Sequence, residues 1–109
     1  MCNYQTWFHD DSIGYVVECN HCQKIQAGFG NLMITFTLKD FENFRRYLLQ
    51  ITESKQAAAN RKIKSVVIRT PADGICFLLD EEELMGLHQM IDYADTEMKS
   101  ANLIKLFSE

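Results

Sequence analysis

The chain has 109 residues, 47% of them hydrophobic and 24% charged, with 5 Gly, 1 Pro and a formal net charge of −4. That length suits one domain with a buried core, and the composition excludes global disorder and low complexity. No apolar run nears the ~20 residues of a bilayer crossing, and Met1-Cys2-Asn3 does not begin a signal peptide, so a cytoplasmic protein with reduced thiols is expected.

Tyr4 to His9 alternates aromatic and polar residues, meets the turn-rich Asp10-Asp11-Ser12-Ile13-Gly14, and continues into Tyr15–Cys19. This is the pattern of a β-hairpin over 4–19. The short Cys19-Asn20-His21-Cys22 turn leads to a third strand, in which Ile25, Ala27 and Phe29 share one side. After Gly30-Asn31, the residues Leu32, Ile34 and Phe36 line one face of a fourth. Thr37 is a good helix N-cap, with Asp40 three residues on. Phe41, Phe44, Leu48 and Ile51 then recur at helical spacing to about Ser54.

Residues 55–62 either prolong this helix or link it to the next strand, read over 63–70 from its β-branched residues. Pro71-Ala72-Asp73-Gly74 is a turn, with Pro fixing one φ and Gly free to take a positive one. Ile75–Leu79 is a short apolar run, expected to be a strand buried on both faces. Asp80 caps a second helix with Glu83 three residues on, and Leu84, Leu87, Ile91, Ala94 and Met98 form its apolar stripe. Leu103-Ile104-Lys105-Leu106-Phe107 is apolar enough that it should dock on another surface.

A shift of 43 residues lays Thr37 on Asp80, Phe41 on Leu84, Phe44 on Leu87 and Leu48 on Ile91. The expected fold is therefore α+β. It has one antiparallel sheet of about six strands, two helices on one face, and two hairpin–helix (ββα) units in a single domain 1–109, divided as 1–55 and 56–109.

The sharpest chemical feature is Cys19-x-x-Cys22, since two thiolates so spaced on a tight turn can grip a tetrahedral Zn²⁺ at about 2.3 Å. Pairing His9 with Tyr15 in the first hairpin brings Cys2 opposite Cys22. Cys2, Cys19 and Cys22 then form a candidate thiolate set, with His21 or His9 as fourth ligand. Gln23 stands where a Gly often relaxes such a turn. Reduced cysteines at a strand end are the plainer expectation. A redox role requires the pair to open a helix, and here strands flank it. Cys76, between Ile75 and Phe77, is expected to be buried as a small hydrophobe.

Charge is distributed unevenly. Residues 39–69 hold eight Lys/Arg against three acids, and residues 70–109 hold two Lys against nine. Such a division suits an anionic ligand or pairing across a self-associating interface. Arg45, Arg46, Arg61 and Lys62 are the candidate binding residues of the basic stretch, with Tyr47 beside them. An isoelectric point near 5.3 argues against a dedicated nucleic-acid binder. His88 and Asp92 lie four apart on the second helix, the spacing of an oriented base, which is also common on helix surfaces. No nucleophile elbow, phosphate loop or dinucleotide fingerprint is present, so no catalytic residue is assigned.

Met85, Met90, Met98 and the apolar residues of 103–107 exceed the needs of one inward stripe, and Trp7 and Tyr93 are candidates for exposure. Uncovered apolar surface marks a protein contact, so a homodimer or a partner protein is expected. The favoured reading is a small non-enzymatic interaction or regulatory protein. The alternative is a small zinc protein, zinc being the one cofactor considered.

The run Gly14-Tyr15-Val16-Val17-Glu18-Cys19-Asn20-His21-Cys22-Gln23, followed by Phe29-Gly30-Asn31-Leu32 and the helix bearing Phe41 and Phe44, resembles a family of small uncharacterised proteins of Bacteroidetes bacteria. The resemblance covers most of the first unit. It implies a short stand-alone cytosolic domain and carries over no functional residues.

Overall fold

The computed structural model describes residues 3–54 and 66–108. Strands β1 (Tyr4–Asp10), β2 (Gly14–Cys19), β3 (Ile25–Phe29) and β4 (Leu32–Phe36) precede helix α1 (Leu38–Ser54). Strands β5 (Val66–Arg69) and β6 (Cys76–Leu79) precede helix α2 (Glu81–Ser108). The first four strands form an antiparallel meander in sequence order, and His9 pairs with Tyr15.

Both helices start where their capping residues place them. The Asp40 N–H donates to Thr37 Oγ1 at 3.1 Å. Asp80 and Glu83 form a reciprocal capping box, with the Glu83 N–H on Asp80 Oδ1 at 2.7 Å and the Asp80 N–H on Glu83 Oε1 at 3.0 Å. Phe41, Phe44 and Leu48 of α1 and Leu84, Leu87, Ile91, Ala94 and Met98 of α2 are all buried. They meet Val16, Ile25, Ala27, Ile34 and Phe36 from one face of the meander, so both helices lie on that face in one core. Phe36 anchors it, stacking against Phe41 and Phe44 at ring separations of 5.6 and 5.1 Å.

The single six-stranded sheet is corrected to two sheets, because β5 and β6 pair only with each other among the described residues. Their inner residues Val66, Ile68, Phe77 and Leu79 join the common core, and Phe77 meets Phe29 edge-on at 5.8 Å. Beside β4, however, a gap of about 270 Å³ lined by Met33, Thr35, Thr70 and Pro71 stands in place of a ladder. Pro71 has no N–H to contribute there. The two helices also differ, at 17 and 28 residues.

Three burial expectations change as well. β6 is not buried on both faces. Phe77 and Leu79 face the core, while Cys76 and Leu78 face out, since the helices cover one side of this hairpin only. Cys76 is accordingly exposed. Met90 is no surplus surface residue but fully buried against the sheet. In β1 a register shift between Thr6 and Phe8 inserts Trp7 as an extra residue, a β-bulge. Trp7 and Phe8 therefore both pack against the core, and Trp7 is half-buried.

Candidate functional site

The Cys19–Cys22 turn closes the β2–β3 hairpin. The Cys19 N–H donates to the Lys24 carbonyl at 2.9 Å, and the Gln23 N–H to the Cys19 carbonyl at 2.8 Å. The Cys22 N–H points at Cys19 Sγ, 3.4 Å away. Gln23 completes the turn with φ at 61°, the left-handed region, which costs a residue with a Cβ about 1–2 kcal/mol. Cys19 is buried, while Cys22 and His21 are exposed.

Cys2 lies outside the described residues. Its neighbour Asn3 accepts the Asn20 N–H at 2.7 Å, which ties the start of the chain to this turn. The bulge at Trp7 shifts the pairing by one residue, so Tyr4 meets Cys19 and the register that set Cys2 opposite Cys22 does not continue. His9 is removed from the candidate ligands. It pairs with Tyr15, four residues and about 13 Å along β2 from Cys19, and faces Asp11 at 3.6 Å. Among the described residues no three His, Cys, Asp or Glu side chains converge on a point that could hold a metal.

A second assembly joins the helices. Arg45 of α1 contacts Glu42 at 2.8 Å, Asp95 of α2 at 3.2 Å and Asp92 at 3.7 Å. Lys99 reaches Asp95 at 3.0 Å and Glu42 at 3.7 Å, and Arg46 reaches Glu42 at 3.3 Å. The Arg45 guanidinium hydrogen-bonds the Glu42 carboxylate and holds its pKa down to about 2. Proton transfer near neutral pH needs a group that titrates there, and a carboxylate locked in its charged form is the opposite. Arg61 and Lys62, the other candidate binding residues, lie outside the described residues.

Next to this cluster a cleft of about 630 Å³ opens between the sheet and the ends of the helices. Trp7 and Glu18 form one wall, joined by a 2.9 Å hydrogen bond from the indole N–H, and Glu42, Asp95 and Lys99 form the other. Sequence reasoning missed it. The i,i+4 spacings of Glu42–Arg46 and Asp95–Lys99 signalled pairs within each helix, but nothing local showed that α1 and α2 would share them. His88 and Asp92 do not form an oriented pair. Asp92 faces Arg45, and His88 Nε2 is enclosed without a hydrogen-bond partner.

The third feature is the end of α2. Ser100-Ala101-Asn102 contains no Gly or Pro to stop the helix, so it runs on through the apolar segment expected to dock. Leu103, Ile104, Leu106 and Phe107 are 55, 67, 74 and 83% exposed, and no residue beyond Met98 belongs to the core. Tyr93 is also exposed, its ring edge-on to Phe8 at 5.6 Å. No helix among the described residues is long and apolar enough to cross a membrane.

The sequence model of a protein family of unknown function matches residues 1–107. No curated protein and no solved structure matches the chain.

Proposed function

The chain belongs to the DUF6686 family, whose function is unknown, and from its surface we propose a small non-enzymatic interaction protein that assembles as a homodimer through the last turns of α2. The observation that carries this reading is the exposure of Leu103, Ile104, Leu106 and Phe107 together. At 3.6 residues per turn these four side chains cover about half the circumference of the helix. Tyr93 and Ile104 fall within about 20° of each other, and Phe107 lies about 40° to the other side of Tyr93, with Glu97 and Ser100 on the same face between Tyr93 and Ile104.

A helix that is apolar around so much of its girth is stable in water only when covered. A second copy of the same segment supplies that cover. It offers an equal apolar surface, and a two-fold axis makes one patch its own complement. Lys105 is the one charge within 103–107, so little desolvation opposes closure. The cytoplasmic location and Bacteroidetes origin belong to the same proposal, resting on composition and on the resemblance of Gly14–Gln23.

Light scattering at tens of micromolar tests it. The wild-type protein is expected at twice the 12.6 kDa of one chain, and the double variant Ile104→Glu, Phe107→Glu at one chain mass with its fold intact. A wild-type protein of single-chain mass at every concentration overturns the dimer.

A further inference from the structure

We propose that the cleft between the sheet and the helix ends binds a guanidinium group on an alkyl stem, the chemistry of an arginine side chain. Glu18 is its counter-ion and Trp7 the surface it lies on. The observation that carries this is an unmatched charge. Glu18 pairs with fully buried Ile25 across β2 and β3, so its carboxylate is on the side of the sheet that faces the helices. It is half-buried there, and its partner among the described residues is neutral, the Trp7 indole N–H at 2.9 Å. A carboxylate turned inward is ordinarily matched by a cation, because taking its charge out of water is costly.

The other charges of the cleft are spent. Arg45, Arg46 and Lys99 meet Glu42, and Arg45 and Lys99 meet Asp95. Lys105 also lines the cleft but is engaged in another contact. Of the three carboxylates in the lining, Glu18 is the one left for a ligand. A divalent metal needs several oxygen ligands at one point, and among the described residues no such group converges. One carboxylate suits one organic cation.

The surroundings choose among cations. Glu18 accepts the indole N–H with Oε1, which leaves Oε2 for a donor. Since that edge of Trp7 is taken, what the indole offers a ligand is its ring face, where a cation is attracted. A guanidinium is planar and stacks on such a face with its N–H groups pointing outward in plane. It is also more weakly hydrated than an ammonium, so it loses less on entering a half-enclosed cleft. Leu38 and Met98 supply apolar lining for the alkyl stem, and about 630 Å³ is the size of a ligand site. From the end of α2 the cleft draws Ala101, Asn102 and Lys105 and none of the four apolar residues of the homodimer surface. The site therefore stands whether or not the chain dimerises.

Trp7 is the one tryptophan of the chain, so its fluorescence reads the site directly. N-acetyl-argininamide, titrated at constant ionic strength, is expected to change it saturably with a Kd of about 0.1–1 mM. N-acetyl-lysinamide is expected to bind about fivefold more weakly or worse. Glu18→Gln keeps an oxygen for the indole N–H and removes only the charge, and is expected to weaken binding about tenfold with the fold intact. The Ile104→Glu, Phe107→Glu variant is expected to bind as the wild type does. Free arginine separates the sources of the ligand. Tighter binding than the blocked form assigns the site to a small-molecule guanidine, and binding no tighter assigns it to an arginine within a peptide. No saturable change up to about 10 mM overturns the site, as does wild-type affinity in Glu18→Gln. Equal affinity for the lysine compound overturns the choice of guanidinium.

Discussion

Arg45 of α1 sits 3.2 Å from Asp95 of α2, and the carboxylate it meets there is nearly closed off from water. Surface ion pairs contribute little, but this one is largely enclosed and belongs to a network in which Arg45–Asp92 and Lys99–Glu42 also join the two helices. Removing Arg45 leaves Asp95 with Lys99 as its remaining partner. Arg45→Ala is expected to cost about 2 kcal/mol in urea unfolding. Arg45→Lys is expected to restore only part of it, because an ammonium cannot make the forked contact that the guanidinium makes with Glu42 and Asp95.

The same cluster sets an acid limit. The hydrogen bond from Arg45 lowers the Glu42 pKa from 4.5 to about 2. A group whose pKa is depressed on folding binds fewer protons in the native state than in the unfolded chain. Its contribution is complete above about pH 4.5 and is lost as pH falls towards 2. Stability is expected to drop over that interval by roughly 1–3 kcal/mol on account of this group. Glu42→Gln is expected to be less stable at pH 7 and to flatten the drop.

Gly14 is irreplaceable for a steric reason. Its φ is 153°, and a Cβ there would collide with the Gly28 carbonyl oxygen, a backbone atom of the neighbouring strand that cannot swing aside. Gly14→Ala is expected to cost about 2–4 kcal/mol, as strain and clash combine. Gly30→Ala meets no atom within 4 Å, though its φ is also positive. It is expected to cost about 1 kcal/mol, and thermal melts of the two variants separate the causes.

Gln23 gives the opposite sign. Glycine takes a left-handed φ without penalty, so Gln23→Gly is expected to stabilise the protein by about 0.5–1 kcal/mol in chemical denaturation.

His88 gives a second stabilising change. Its Nε2 is buried with no partner, and an unsatisfied polar atom costs about 1–3 kcal/mol. His88→Leu is expected to raise stability by about 1 kcal/mol. A loss of that size would show that the imidazole has a partner after all.

The helices were legible in the sequence because their signals are local. Thr37, Asp80 and Glu83 act within one turn, and the Phe41–Leu48 and Leu84–Met98 stripes repeat at the period of the helix itself. The meander was legible for the same reason, through alternation and turn residues. What the sequence concealed is non-local. That β5–β6 forms its own sheet depends on how the hairpin sits against β4, which no residue between Val66 and Leu79 encodes alone. The bulge at Trp7 is invisible because an extra residue in one strand leaves the aromatic pattern unchanged while moving every later pair. Cys76 and Leu78 look like core residues by type, and only the one-sided cover of their hairpin exposes them. At the candidate sites, the Cys19–Cys22 pair could be found from spacing, whereas the sharing of Arg45 and Lys99 between α1 and α2 required both helices in place.

Hydrogen exchange of the amides in Leu103–Phe107 reads directly whether that segment is covered in solution. Strong protection that fades on dilution, and is absent in the Ile104→Glu, Phe107→Glu variant, is the expected result. Exchange at the rate of an unprotected chain at every concentration would contradict it.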